Sequence, residues 1–101
     1  MTKTTADPRV IAEIWAVICD RADNPKEGSY TTRLLADEKG IDKVLEKVGE
    51  ESTEFILAAK NGIAGRTAGE AADLLFHLLV ALRAAGVDLS DVMAELEQRR
   101  K

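Results

Sequence analysis

Two acidic pairs on either side of one turn constrain this chain more than any other feature. Glu51 and Glu54 stand three residues apart, with Glu50 beside them. Glu70 and Asp73 repeat that spacing further on, and Asn61-Gly62-Ile63-Ala64-Gly65 between them reads as a turn. Side chains at i and i+3 share a face when the backbone is helical. Two helices folded back at the turn would bring up to five carboxylates to one level of a hairpin.

The rest of the chain favours such helices. Its only prolines are Pro8 and Pro25, so no proline interrupts a helix after Lys26. Asp7-Pro8 reads as an N-cap and first helical position, followed by Val10, Ile11, Ile14, Trp15, Val17 and Ile18 at helical spacing. This predicts a first helix over about 8–22, with residues 1–7 frayed and a loop over 23–28. Ser29 or Thr31 could cap a short helix ending near Gly40. Helices are expected over 41–60, 66–85 and about 90–99. Gly49 costs the first of these about 1 kcal/mol relative to Ala, and Gly86 supplies the second with a C-terminal cap. With 101 residues and no convincing strand, one all-α domain over 1–101 is expected.

Charge and composition narrow the partners. A net charge of −4 speaks against nucleic-acid binding through a basic surface. The lone Cys19 forbids an intrachain disulfide or a multi-cysteine zinc site, and its place in an apolar pattern predicts a buried thiol. The apolar run 71–85 carries Asp73, His77 and Arg83, which does not suit a membrane span. The polar N-terminus lacks a signal-peptide pattern, so a cytoplasmic protein is expected.

Turning each residue by about 100° around its helix axis sharpens the picture. In 41–60 the apolar stripe centres near Val48, and Glu51 borders it. The 66–85 helix is apolar nearly all round, yet Glu70, Asp73 and His77 fall on one side as a single polar stripe. Glu54 comes level with Glu70, and Glu51 with Asp73. Buried like charges need a counter-charge. All-oxygen donors suit Mg²⁺ or Mn²⁺ rather than zinc, and Mg²⁺ commonly binds together with substrate phosphates. Arg33, Lys39, Lys43, Lys47, Lys60 and Arg66 are the cations available to such phosphates. Lys43 and Lys47 lie one turn apart on the edge that carries Glu51 and Glu54. An ordinary i, i+4 pair between Lys47 and Glu51 is the plainer alternative, and a satisfied core position is the plainer one for His77. No glycine-rich loop followed by Lys-Ser/Thr is present, which excludes a P-loop enzyme.

The stretches Lys43-x-x-x-Lys47-Val48-Gly49-Glu50-Glu51-x-x-Glu54, Ala58-Ala59-Lys60-Asn61 and Glu70-Ala71-Ala72-Asp73-Leu74-Leu75-Phe76-His77-Leu78-Leu79-Val80 resemble the phosphoribosyl-ATP pyrophosphohydrolase family, within the all-α MazG-like superfamily. Gly28-Ser29-Tyr30-Thr31 and the ending from Gly86 to Val92 share the likeness, and Gly69 departs slightly from it. The resemblance implies Mg²⁺-dependent hydrolysis of phosphoribosyl-ATP to phosphoribosyl-AMP and pyrophosphate, the second step of histidine biosynthesis. It implies Glu51, Glu54, Glu70 and Asp73 as metal ligands, and Glu50 as a further ligand or a water-orienting base, with Glu54 also catalytic. Lys43, Lys47, Arg33 and Lys60 would meet phosphates. Ser29, Tyr30, Thr31 and His77 would line the substrate. The family also occurs fused to a cyclohydrolase domain, and a stand-alone form is expected here. A monomer of this size cannot cover an all-round apolar helix, so a homodimer with a four-helix core is expected. Another nucleotide pyrophosphatase, or a non-catalytic helical dimer, would fit the same residues.

Overall fold

The computed structural model describes residues 6–100. Five α-helices carry the fold: α1 Arg9–Asp23, α2 Tyr30–Leu35, α3 Ile41–Asn61, α4 Ala64–Ala84 and α5 Leu89–Gln98. Among the described residues there is no strand. The all-α expectation is therefore met, with most boundaries within a residue of those read from the sequence. Of the segment expected to fray, residues 1–5 lie outside the described residues. Asp7 is tied to the start of α1, its Oδ1 accepting from the Arg9 N–H at 3.0 Å.

Local chemistry sets the ends of the helices. Ser29 caps α2 by accepting from the Thr32 N–H at 3.1 Å, and Asp88 caps α5 by accepting from Ser90 at 2.8 Å. Both caps satisfy an N–H that a helix start leaves unpaired. The turn between α3 and α4 is shorter than its five-residue composition suggests. Gly62 alone takes the left-handed conformation, φ +71°, and its N–H bonds Ala59. Ile63 follows in extended geometry and α4 starts at once at Ala64, so Gly65 is helical. A turn this tight holds α3 and α4 antiparallel and side by side.

The core is a cluster of Ile18, Leu34, Val44, Leu79, Val80 and Leu89, with Ile14, Trp15, Phe76 and Leu82 packed against it. It sits where α1 and α2 lie on the α3–α4 hairpin. On α3 the buried positions are Val44, Glu51 and Ala58. They recur every seven residues, a single seam against α4. The seam is rotated from the Val48-centred stripe towards Glu51, because Leu45 and Ile56 are exposed (50% and 61%). Glu51 thus lies in the buried seam, where the sequence pattern set it at the border. Cys19 is only half-buried; it packs against Arg83, whose guanidinium also pairs with Asp23 at 2.6 Å.

One apolar surface lacks a cover. Leu75 and Leu78 on α4 are 43% and 41% exposed. With Leu82, Met93 and Leu96 they line an entirely apolar groove of about 300 Å³.

Candidate active site

The tight hairpin delivers the acids as their spacing requires. Carboxylate oxygens of Glu51, Glu70 and Asp73 lie within 4.8 Å of one another. Glu54 stands beside Glu70, near enough to raise its pKa. Glu51 is buried (7% exposed). The Oε2 atoms of Glu51 and Glu70 are both buried without a hydrogen-bond partner. Unpaired buried carboxylate oxygens are costly, so this cluster is incomplete by itself. Burial holds the Glu70 carboxyl above the ordinary glutamate range, and Glu54, Asp73 and Glu51 push it the same way. Hard oxygen donors with unspent lone pairs fit a divalent cation such as Mg²⁺ or Mn²⁺. Glu51, Glu70 and Asp73, with Glu54 alongside, are the residues that would hold it.

Glu50 stands apart from this group. It is largely exposed and faces Lys47, whose Nζ lies 3.8 Å from Glu50 Oε2 and 3.7 Å from Glu51 Oε1. Burial disfavours the Lys47 ammonium. Tyr30, Glu50 and Glu51 outweigh that and hold its pKa above the usual lysine value. The i, i+4 pair is thus present, and it joins the acid cluster to its nearest cation.

Beyond Lys47 the surface opens into a pocket of about 350 Å³ lined by Tyr30, Arg33, Leu34, Asp37, Lys43 and Lys47. Arg33 lies over the Tyr30 ring, 5.9 Å from its centroid. Lys60 belongs to neither group. It is exposed and thirteen residues from Lys47, about 20 Å along α3 at 1.5 Å per residue. Ser29 and Thr31 face a different pocket, with Arg21 and Lys26.

His77 is buried, with both ring nitrogens engaged. Its Nδ1 lies 2.7 Å from the Asp73 carbonyl, which can only accept, so Nδ1 carries the proton. In the neutral ring Nε2 then accepts from the Tyr30 hydroxyl at 2.8 Å. His77 therefore acts as the satisfied core residue of the plainer reading. It pins Tyr30, and with it α2, to the helix that carries Asp73. Asp37 is the pocket residue that sequence reasoning missed. It follows the short α2 in an ambiguous stretch, and nothing in its spacing marks it.

Facing carboxylates on a helical hairpin, with a cation pocket at their edge, form an arrangement that would suit a class of protein holding a metal ion and a polyphosphate together. Known proteins narrow the class. Residues 11–100 match the family model described as Phosphoribosyl-ATP pyrophosphohydrolase. The chain belongs to the phosphoribosyl-ATP pyrophosphohydrolase family. It is 73% identical over 99 residues to the phosphoribosyl-ATP pyrophosphatase of Methanoregula boonei, covering 98% of this chain and 95% of the relative. The phosphoribosyl-ATP pyrophosphatase of Methanosphaerula palustris is 65% identical over 95 residues, covering 94% of this chain and 96% of the relative. A histidine biosynthesis bifunctional protein of Halalkalibacterium halodurans is 49% identical over 92 residues, which span 91% of this chain and 43% of that longer protein. No helix is long and apolar enough to cross a membrane, among the described residues.

Proposed function

We propose that the chain hydrolyses phosphoribosyl-ATP to phosphoribosyl-AMP and pyrophosphate, the second step of histidine biosynthesis, at the Glu51–Glu70–Asp73 cluster. The observation that carries this is the pair of buried, unpartnered carboxylate oxygens, on a chain whose relatives bear that enzyme's name. A divalent cation bound there, Mg²⁺ or Mn²⁺, supplies neutralisation and polarisation of a phosphoryl oxygen. The protein's own part is orientation. Glu51, Glu70 and Asp73 fix the ligand oxygens from two rigid helices. Glu54, beside Glu70, would orient a water. Glu50 remains an outer acid paired with Lys47, and Lys47 would meet the charge that develops on the phosphate chain. The test is pyrophosphate release from phosphoribosyl-ATP, with ordinary NTPs and dNTPs as comparison. Release should need Mg²⁺ and be lost in EDTA, and Mg²⁺ should raise the Tm. Equal turnover of ordinary nucleotides would favour a general nucleotide pyrophosphatase instead.

The working form we propose is a cytoplasmic homodimer with the apolar groove between α4 and α5 at its interface, so that paired hairpins form a four-helix core. Exposed Leu75, Leu78, Met93 and Leu96 support it, since contiguous apolar patches mark interaction surfaces. Light scattering after size exclusion should give twice the 11.0 kDa of one chain. A mass near one chain at micromolar concentration would rule it out.

A further inference from the structure

We infer that the pocket of Tyr30, Arg33, Asp37 and Lys43, beyond Lys47, receives the phosphoribosyl end of the substrate, and so distinguishes it from ATP. The inference rests on the proposed reaction and assigns a second subsite to it. Its first support is uncommitted charge. In a chain of net charge −4, Arg33 and Lys43 face one pocket, and neither forms an ion pair among the described residues. Among the described residues the Arg33 guanidinium makes one long hydrogen bond, 3.5 Å, to the Gly28 carbonyl, and rests over the Tyr30 ring.

The second support is position. Lys43 lies eight residues before Glu51 on α3, about 12 Å along its axis. Lys43 thus stands about two helical turns beyond the acid cluster, with Lys47 between them. A ligand that extends past its triphosphate to a second anionic end suits that spacing. Phosphoribosyl-ATP has that shape, and ATP lacks the second end.

The third support is the mixture of groups. Asp37 lines the same pocket and is half-buried; its Oδ1 accepts from the Lys39 N–H at 2.9 Å, which leaves its other oxygen for a donor. Phosphate oxygens only accept, so a carboxylate does not suit them. Sugar hydroxyls donate. Two free cations for a phosphate, a carboxylate for hydroxyls and an aromatic wall together suit a phosphorylated sugar better than a bare polyphosphate. The wall is fixed, because His77 holds the Tyr30 hydroxyl at 2.8 Å.

Calorimetric titration of the intact protein with phosphoribosyl-AMP, AMP and Mg²⁺–pyrophosphate separates the two ends. Wild type should prefer phosphoribosyl-AMP to AMP by about tenfold or more, the worth of charge-assisted contacts to one phosphate. In Lys43→Gln and Arg33→Gln that preference should collapse, with pyrophosphate affinity unchanged. Two results overturn the inference: no preference in wild type, or a parallel loss of all three ligands in the variants. If wild type keeps the preference yet releases no pyrophosphate from phosphoribosyl-ATP, the proposed reaction fails and the subsite stands.

Discussion

Glu70→Gln should cut pyrophosphate release by on the order of 100-fold or more, while raising the Tm of the metal-free protein. The first effect follows because even outer-shell partners of a metal site commonly matter 10- to 100-fold in affinity or activity. Glu70 offers an oxygen inside the cluster itself. The second follows from repulsion. Burial, then Glu54, Asp73 and Glu51, hold the Glu70 carboxyl above its ordinary pKa. The native state therefore keeps a proton that the unfolded chain has released. The group's contribution to stability is complete below the ordinary glutamate pKa and is lost as pH rises through the raised value. In EDTA the wild-type Tm should fall across that window, and the Gln variant should fall less. Mg²⁺ should reverse the order, stabilising wild type far more than the variant. Equal Mg²⁺ shifts in both proteins would remove Glu70 from the metal site.

Lys47→Gln should lower kcat by about 10²–10³-fold, the usual cost of removing one preorganised charge from a developing oxyanion. Here stability should move the opposite way. Lys47 is the cation nearest the cluster, 3.7 Å from Glu51 Oε1. Without it, the acids lose their only adjacent counter-charge among the described residues, and the metal-free Tm should drop. The two variants thus share a loss of activity and differ in the sign of their stability change. A raised KM with unchanged kcat would make Lys47 a binding residue only.

Much of this arrangement was legible beforehand. The i, i+3 spacing of Glu51 with Glu54 and of Glu70 with Asp73 is a backbone property, so helices and a turn nearly suffice to place the acids. The level of each acid was readable too, because counting outward from the turn is symmetric whether the turn takes five residues or two. The burial of Glu51 was less accessible. Apolar residues lie on two flanks of α3, one against α4 and one bare, and their average pointed to Val48 between them. Only the packing partner decides which flank is the core. Asp37 and the separation of Lys60 were out of reach for a similar reason. A lysine count registers charge, whereas reaching one phosphate depends on the path of α2 across α3. The hydrogen bonds of Ser29 and His77 hold the backbone of α2 and the ring of Tyr30, partners that spacing along the chain does not reveal.

The two-residue connection at Gly62 and Ile63 also bears on how the chain folds. Contacts between segments close in sequence form at the lowest entropic cost, and chains rich in them fold fastest. The α3–α4 hairpin has the shortest connection of any helix pair here, so it is the natural nucleus. Its zipping brings Glu54 against Glu70, then Glu51 against Asp73, before α1 and α2 can dock. Repulsion among the acids is then met at the folding barrier as well as in the finished fold. Mg²⁺ present during refolding should raise the folding rate as well as slow unfolding. Stopped-flow folding arms that coincide with and without Mg²⁺ would show that the cluster closes only after the barrier is crossed.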